Sequence, residues 1–257
     1  MTKIIAVVSG KGGVGKTTVV SNMAAALTKI GKNVLIIDGN VSGPNLAMHL
    51  GIPEMPPVSL NDVIKNRAYI MQAIYQHPLG FKVIPASLGE LEAELGGLKE
   101  HIRRLIGVYD VILIDSAPGV GDEVKAAMKV ADEIVIVTNP EVPAVKNALM
   151  VKNLAFKMNK PVKGVIVNII RGERYELRPE EIEEMLGLPV IGEVKEHSKV
   201  REAIHSGTPV VEYQPYVQPS RAMKRIASEI IGEKPPKEGM IDKIMGFLYS
   251  EVVIKVR

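Results

Sequence analysis

The chain has 257 residues, of which 46% are hydrophobic and 24% are charged, a composition typical of a globular protein that excludes disorder throughout. It contains no cysteine, which excludes disulfides, cysteine-ligated zinc, iron–sulfur clusters and thiol nucleophiles. The net charge of +3 is too small to indicate nucleic-acid binding. With neither a stretch of about 18 apolar residues nor a secretory signal, the sequence predicts a cytoplasmic protein.

Short runs rich in valine, isoleucine and leucine recur along the chain and predict parallel strands that are buried on both faces. The predicted strands are Lys3–Ser9, Asn33–Ile37, Phe81–Ile84, Tyr109–Ile114, Glu133–Thr138, Val162–Asn168 and Pro189–Gly192. The amphipathic segments between them predict helices at Gly15–Ile30, Leu88–Ile106, Gly121–Val130, Val142–Met158, Pro179–Leu186, Lys199–His205 and Pro219–Ile231. Because strands and helices alternate, we expect an α/β fold, a doubly wound and mostly parallel sheet flanked by helices.

The composition changes near the C-terminus and divides the chain into three parts. We predict that residues 1–232 form the α/β domain, that the proline-, glycine- and charge-rich segment 233–239 is a linker, and that residues 240–257 form a short amphipathic tail. Residues 240–249 have the apolar spacing of a helix, whereas residues 251–257 have the β-branched pattern of a strand. We expect a tail of this kind to dock either peripherally on a membrane or on a protein surface. Because the tail has few lysines, docking on the rest of this chain or on a partner protein is favoured.

The most specific motif runs from Gly10 to Thr17 and lies between the first predicted strand and the first predicted helix. It has the pattern G-x-x-x-x-G-K-[ST], in which backbone N–H groups and a helix N-terminus hold the phosphates of a nucleotide. Lys16 is expected to bridge the β- and γ-phosphates, and Thr17 to bind Mg²⁺. The nucleotide-binding residues predicted here are Gly10, Gly12, Gly13, Val14, Gly15, Lys16, Thr17 and Thr18.

Two aspartates follow runs of four apolar residues and end predicted strands. They are Asp38, after Val34–Ile37, and Asp115, after Val111–Ile114. Buried strands of this kind project their carboxylates towards a metal ion at the sheet edge. We therefore predict that Asp115 holds Mg²⁺ together with Thr17, and that Asp38 orders the water molecules of the ion.

The octapeptide Lys11–Thr18, KGGVGKTT, resembles the deviant Walker A motif of the MinD/ParA/Mrp family of P-loop ATPases. The likeness extends over residues 1–232, and the Gly43-Pro44 and Pro118-Gly119 dipeptides are similar to those of archaeal MinD/Mrp-like members. The resemblance implies an ATP-dependent homodimer in which Lys11 contacts the phosphates bound by the partner. A lysine this early in the loop also reaches its own nucleotide poorly, because the backbone wraps the phosphates first.

The sequence departs from this family at Asn40. In the family the first of the two strands ends in D-x-D, and its second aspartate positions the attacking water; here the residues are Asp38-Gly39-Asn40. An amide orients a water molecule but does not accept its proton at neutral pH. We therefore predict slow ATP hydrolysis, with Lys11, Lys16, Asp38 and Asn40 as the catalytic set.

Asn168 ends the predicted strand Val162–Asn168 and is the candidate for recognition of the base. Its amide is able to donate to and accept from an adenine edge at the same time, and the resemblance implies this role. No N-K-x-D guanine motif follows, so ATP is favoured over GTP. Asn168 as a turn residue without a ligand role is the alternative.

The sequence leaves the cellular role of this ATPase open among three hypotheses. A membrane-cycling ATPase that positions the division site is supported by the amphipathic tail. An accessory ATPase in metalloenzyme assembly, such as nickel-hydrogenase maturation, is supported by the Gly43-Pro44 and Pro118-Gly119 dipeptides, and a protein partner would then carry the metal. A ParA-type DNA-segregation module is disfavoured by the small net charge, so nucleic acid is not an expected partner.

Overall fold

The computed structural model describes residues 2–87 and 97–234, which form an α/β structure. Its strands are β1 (Lys3–Ser9), β2 (Val34–Gly39), β3 (Tyr75–Gln76), β4 (Lys82–Ile84), β5 (Val111–Pro118), β6 (Glu133–Thr138), β7 (Val162–Ile170) and β8 (Val190–Lys195). Its helices are α1 (Lys16–Lys29), α2 (Leu46–His49), α3 (Leu60–Ile64), α4 (Leu98–Arg103), α5 (Asp122–Val130), α6 (Val142–Lys157), α7 (Pro179–Leu186), α8 (Ser198–His205), α9 (Val210–Tyr213) and α10 (Gln218–Ile231), with a 3₁₀ turn at Ile70–Ala73.

The strands form one eight-stranded sheet in the order β3-β4-β2-β5-β1-β6-β7-β8. All neighbours are parallel except β3 and β4, which pair antiparallel. The chain begins in the middle of the sheet, at β1, and later strands are added on both sides of it. This order confirms the predicted doubly wound sheet and opens a crevice at the carboxyl end of β1, where such folds bind their ligands.

Both faces of the sheet are covered by helices, which explains the continuous apolar strands. Ile4, Ala6 and Val8 of β1 belong to a core closed by α3 to α7, whereas Ile5 and Val7 point to a second core closed by α1, α2, α9 and α10. The sheet is therefore rigid on both sides, and the groups at its carboxyl edge are held on fixed elements.

Several boundaries differ from the sequence prediction. The strand predicted to end at Asn168 continues to Ile170 as β7, because it pairs irregularly with β8 beyond Val167. The helix predicted over Leu88–Ile106 ends at Arg103, since Arg104, Leu105 and Ile106 form a turn, and residues 88–96 of that prediction lie outside the described residues. The short elements α2, α3, β3 and α9 were not predicted.

The linker and tail predictions fall largely outside the described residues. Of the predicted linker 233–239, only residues 233 and 234 are described, and the tail 240–257 is outside. The division at residue 232 stays a prediction, although α10 ends at Ile231 and Gly232, with φ +75°, caps it. Among the described residues, no helix has the length and apolar character that a membrane span requires.

Candidate functional site: the loop between β1 and α1

The loop between β1 and α1 has the backbone of a phosphate-binding turn. Gly13 and Gly15 adopt φ values of +79° and +82°, a backbone conformation that residues other than glycine rarely adopt. Helix α1 begins directly afterwards at Lys16. No side chain caps this helix and no acidic residue lies in its first turn. The first backbone N–H groups of α1, which have no acceptor within the helix, are thus available to an anion.

Two neighbouring elements fix the position of the loop. A Cβ atom added to Gly10 would lie 2.2 Å from the carbonyl oxygen of Asn147 on α6, so only glycine allows this approach. On the other side, Asn168 Nδ2 donates a hydrogen bond of 2.8 Å to the Val14 carbonyl. The backbone carbonyl of Asn168 accepts a hydrogen bond from Asn139 Nδ2 at 2.9 Å. These contacts with α6 and β7 therefore fix the shape of the loop.

We expect Gly15→Ala to destabilise the nucleotide-free protein by about 2–3 kcal/mol. The left-handed backbone at Gly15 costs an alanine about 1–2 kcal/mol, and the new methyl group would lie 2.2 Å from Asn168 Nδ2 and disturb its hydrogen bond to the loop. The melting temperature should fall by roughly 4–12 °C. Gly12→Ala is the matched control, because its Cβ would meet only Pro118 Cγ at 4.0 Å; equal melting temperatures for both variants would contradict this account.

A buried charge cluster lies beneath the loop. Lys16 Nζ donates to Asp115 Oδ1 at 3.0 Å, with side-chain exposures of 8% and 2%. Asp38 lies opposite Asp115 on the adjacent strand and is fully buried. Burial, followed by the nearby Asp115 carboxylate, raises the pKa of Asp38 to about 8, against the hydrogen bonds from Asn40 and Leu46 and the charge of Lys16.

This cluster fits a divalent cation. Two buried carboxyl groups lie beside Lys16, so a bound cation would offset both the burial and the repulsion that raise the pKa of Asp38. Thr17 is half-buried and follows Lys16 directly as the second residue of α1, and hydroxyl and carboxylate oxygens are the ligands that Mg²⁺ prefers. Thr17 and Asp115 are thus the residues that would hold the ion, and Asp38 the one that would bind its water molecules.

The turn that carries Asn40 is organised by Asp38. The Asp38 oxygens accept from the backbone N–H of Asn40 at 3.2 Å and from that of Leu46 at 3.3 Å, so they tie both ends of this segment to β2. The Asn40 amide is half-buried, and its Nδ2 donates to the carbonyl of Gly43. That bond directs Nδ2 into the turn and leaves Oδ1 as the acceptor for a water molecule.

Lys11 and Lys16 have opposite environments, although both lie in the same loop. Lys16 is 7% exposed, whereas Lys11 is an exposed residue at the outer side of the loop. The structure therefore brings Lys16, Thr17, Asp38, Asn40 and Asp115 to the carboxyl edge of the sheet and leaves Lys11 exposed. This placement is compatible with a contact in trans, which stays a prediction.

A cavity of about 210 Å³ adjoins the loop on the side of β7 and is the candidate site for the base of a nucleotide. Gly15, Thr18 and Asn168 form its wall next to the loop. Most of the remaining lining was not predicted and comes from Ile169, Arg171, Val194, Lys195, Glu196, His197, Val200, Arg201, Ile204, Val210 and Met223. Asn168 retains a second Nδ2 hydrogen and the Oδ1 acceptor, the pair that an adenine edge requires.

A phosphate-binding loop that joins the first strand and helix of a mostly parallel sheet defines a P-loop NTPase. Family models agree with this class: an AAA domain matches residues 2–163, and a NUBPL iron-transfer P-loop NTPase model matches residues 104–231.

Three similar proteins narrow the class. An uncharacterised ATP-binding protein of Methanocaldococcus jannaschii is 37% identical over 97% of this chain and 98% of that protein. The septum site-determining protein MinD of Pyrococcus horikoshii, complexed with Mg-ADP, superposes with a TM-score of 0.85 at 32% identity over 90% of this chain and 96% of that one. MinD in the MinC:MinD complex of Aquifex aeolicus gives a TM-score of 0.83 at 32% identity over 92% and 98%. The chain belongs to the MinD/ParA family of P-loop NTPases, which are ATP-binding proteins.

Proposed function

We propose that this protein is an ATP-hydrolysing switch that dimerises when it binds ATP and Mg²⁺ and separates after hydrolysis. The observation that carries the proposal is the loop with one buried and one exposed lysine, Lys16 beside Asp115 and Lys11 on the surface. A P-loop ATPase needs one lysine on its own phosphates, and the second lysine has a purpose if a facing copy brings its own nucleotide within reach. Loss of the dimer after hydrolysis makes the cycle a switch.

Each residue of the site has a defined task in this proposal. Lys16 and the loop N–H groups bind the phosphates and stabilise the charge that develops on them. Mg²⁺, when bound, neutralises phosphate charge, and Thr17 and Asp115 hold it. Asp38 keeps the turn bearing Asn40 in place, and Asn40 orients the attacking water through Oδ1. Asn168 and the cavity beside it bind the adenine.

Hydrolysis is expected to be slow because Asn40, an amide, occupies the position at which the family has a carboxylate to direct the attacking water. General-base assistance typically contributes about 10²–10⁴-fold, and an amide does not supply it. Phosphoryl transfer has a loose transition state, so proton transfer need not limit the rate and the deficit falls at the low end of this range. A slow step after dimer formation gives a long-lived ATP-bound dimer.

We expect Asn40→Asp to raise the single-turnover rate of ATP hydrolysis about 100-fold and to shorten the dimer lifetime, with little change in ATP affinity. The added carboxylate accepts the proton of the water that Asn40 only orients. Hydrolysis in single-turnover mixtures, with the dimer fraction followed by light scattering, measures both quantities. Asn45→Asp is the matched control, because Asn45 donates to the same Gly43 carbonyl but is exposed. Equal rates for Asn40→Asp and the parent would remove Asn40 from the water-positioning role.

The switch acts on a protein partner in this proposal. The MinC:MinD complex of Aquifex aeolicus supports a protein partner, since there a similar chain is assembled with a second protein.

The match of residues 104–231 to an iron-transfer P-loop NTPase model supports a role in metalloenzyme assembly as the second candidate, but with no cysteine in the chain the partner would have to carry the metal. Pull-down from the native host with ATP against ADP, followed by mass spectrometry, separates a division protein from a metalloenzyme-assembly protein.

A further inference from the structure

Two hydrogen bonds join the segment after β2 to the helix after β5. The backbone N–H and the Oγ of Ser42 donate to the two carboxylate oxygens of Glu123, at 2.9 and 3.0 Å. Ser42 lies two residues after Asn40, and Glu123 is the second residue of α5. This contact, the Ser42–Glu123 clasp, therefore connects the turn that carries Asn40 to the part of the chain that carries Asp115.

The clasp acts where the turn has little other support. Asp38 holds the two ends of the segment, and the Val41 side chain is buried in the core, whereas Ser42 is exposed. A groove of about 240 Å³ opens beside Gly43 and Pro44, so packing there leaves room for movement. Without the clasp, the tip of the turn is able to shift relative to β5.

A shift of the tip changes the position of the Asn40 amide. Asn40 Nδ2 is bonded to the carbonyl of Gly43, the residue after Ser42, and the Gly43 N–H donates back to the Asn40 carbonyl at 3.3 Å. Asn40, Ser42 and Gly43 thus move as one hydrogen-bonded turn. The direction of Asn40 Oδ1 relative to Lys16 and Asp115 then depends on where Glu123 holds Ser42.

We propose that Glu123 is a positioning residue for ATP hydrolysis, which acts through Ser42 to hold the Asn40 amide in the orientation that directs the attacking water. The inference rests on the proposed ATPase function and adds to it a residue that acts through Ser42. Ser42 is exposed and Glu123 is only half-buried, so loss of the clasp costs the folded state little and its effect falls on the rate of the chemical step.

The test is a double-mutant cycle read as kcat and KM for ATP, with the melting temperature of each variant. Glu123→Ala is expected to lower kcat about three- to tenfold, the effect of one net hydrogen bond, with KM and melting temperature unchanged. Ser42→Ala, which keeps the backbone donor, should give a smaller loss of kcat. The double mutant Ser42→Ala/Glu123→Ala should be no slower than Glu123→Ala, because both substitutions act on the same contact. Glu123→Gln keeps an acceptor for the Ser42 N–H and should retain most of the parental kcat.

Asp122→Ala is the matched control, since it removes the same charge one residue earlier, where the carboxylate pairs with Lys125 instead, and it should leave kcat unchanged. The proposal is overturned by a parental kcat in Glu123→Ala, by an equal loss in Asp122→Ala or Glu123→Gln, or by additive losses in the double mutant. If the parent hydrolyses ATP and Glu123→Ala matches it, only this inference fails. If the parent shows no hydrolysis even in single turnover, the proposed function fails and this inference fails with it.

Discussion

Lys16→Ala is expected to abolish ATP binding at micromolar nucleotide. Lys16 is the buried cation at the start of α1, beside Asp115, and its charge-assisted contact to the phosphates contributes about 1.5–3 kcal/mol, or roughly 10–150-fold in affinity. The true loss is expected at the upper end, because the variant also leaves the buried Asp115 carboxylate without the lysine that pairs with it. Isothermal calorimetry with ATP and Mg²⁺ measures the effect.

Removal of Lys16 also affects folding, so the binding result needs a control. Circular dichroism and the melting temperature show whether Lys16→Ala is folded at the temperature of the titration. Lys29→Ala serves as the matched variant, because Lys29 lies at the opposite end of α1, where it is exposed and pairs with Glu212. Parental ATP affinity in a folded Lys16→Ala protein would contradict the phosphate-binding role of the loop.

Lys11→Ala is expected to prevent ATP-dependent dimerisation while ATP binding by the monomer stays close to that of the parent. The Lys11 side chain is exposed, whereas its own site already contains Lys16, so its charge is available to the phosphates of a facing copy. A charge-assisted contact is lost twice in a symmetric dimer, so the dimer dissociation constant should rise by about two to four orders of magnitude. Light scattering with ATP and Mg²⁺ measures the dimer, and calorimetry measures binding.

Lys65→Ala provides a comparison for Lys11→Ala that removes the same charge from the C-terminal end of α3, on a different part of the surface. A Lys11→Ala protein that dimerises like the parent would show that this lysine has no role across the interface. A protein that loses ATP binding and dimerisation together would instead place Lys11 on its own nucleotide.

The elements that the sequence predicted most accurately have strong local determinants. The bounds of β1 and β6 agree with the prediction because these are central apolar strands followed directly by Gly10 and by Asn139-Pro140. The bounds of α7 agree because Pro179 begins the helix and Gly187, with φ +59°, caps its end. The helix α2 was missed because it has four residues and no periodic pattern. It depends on the Asp38 carboxylate, which accepts from the N–H of Leu46.

The parts of the candidate site also differ in how well the sequence predicts them. The loop from Gly10 to Thr17 is contiguous, so its motif predicts both its backbone and its ligand. The base cavity is assembled from β7, β8, α8 and α10, and its apolar residues, such as Ile204 and Met223, have the same pattern as core residues. The Ser42–Glu123 clasp joins residues 81 positions apart, and neither of them stands out in the sequence.

The molar mass of the parent protein in saturating ATP and Mg²⁺, compared with ADP and Mg²⁺, tests the dimerisation switch most directly. Both nucleotides should bind in calorimetry, since loop and base cavity are common to them. Multi-angle light scattering under the same conditions should give twice the mass of the chain with ATP and the mass of one chain with ADP, and the ATP sample should return to the single mass as the nucleotide is hydrolysed. A protein that binds ATP and stays at the mass of one chain, or that is dimeric to the same extent with ADP, would contradict the proposed switch.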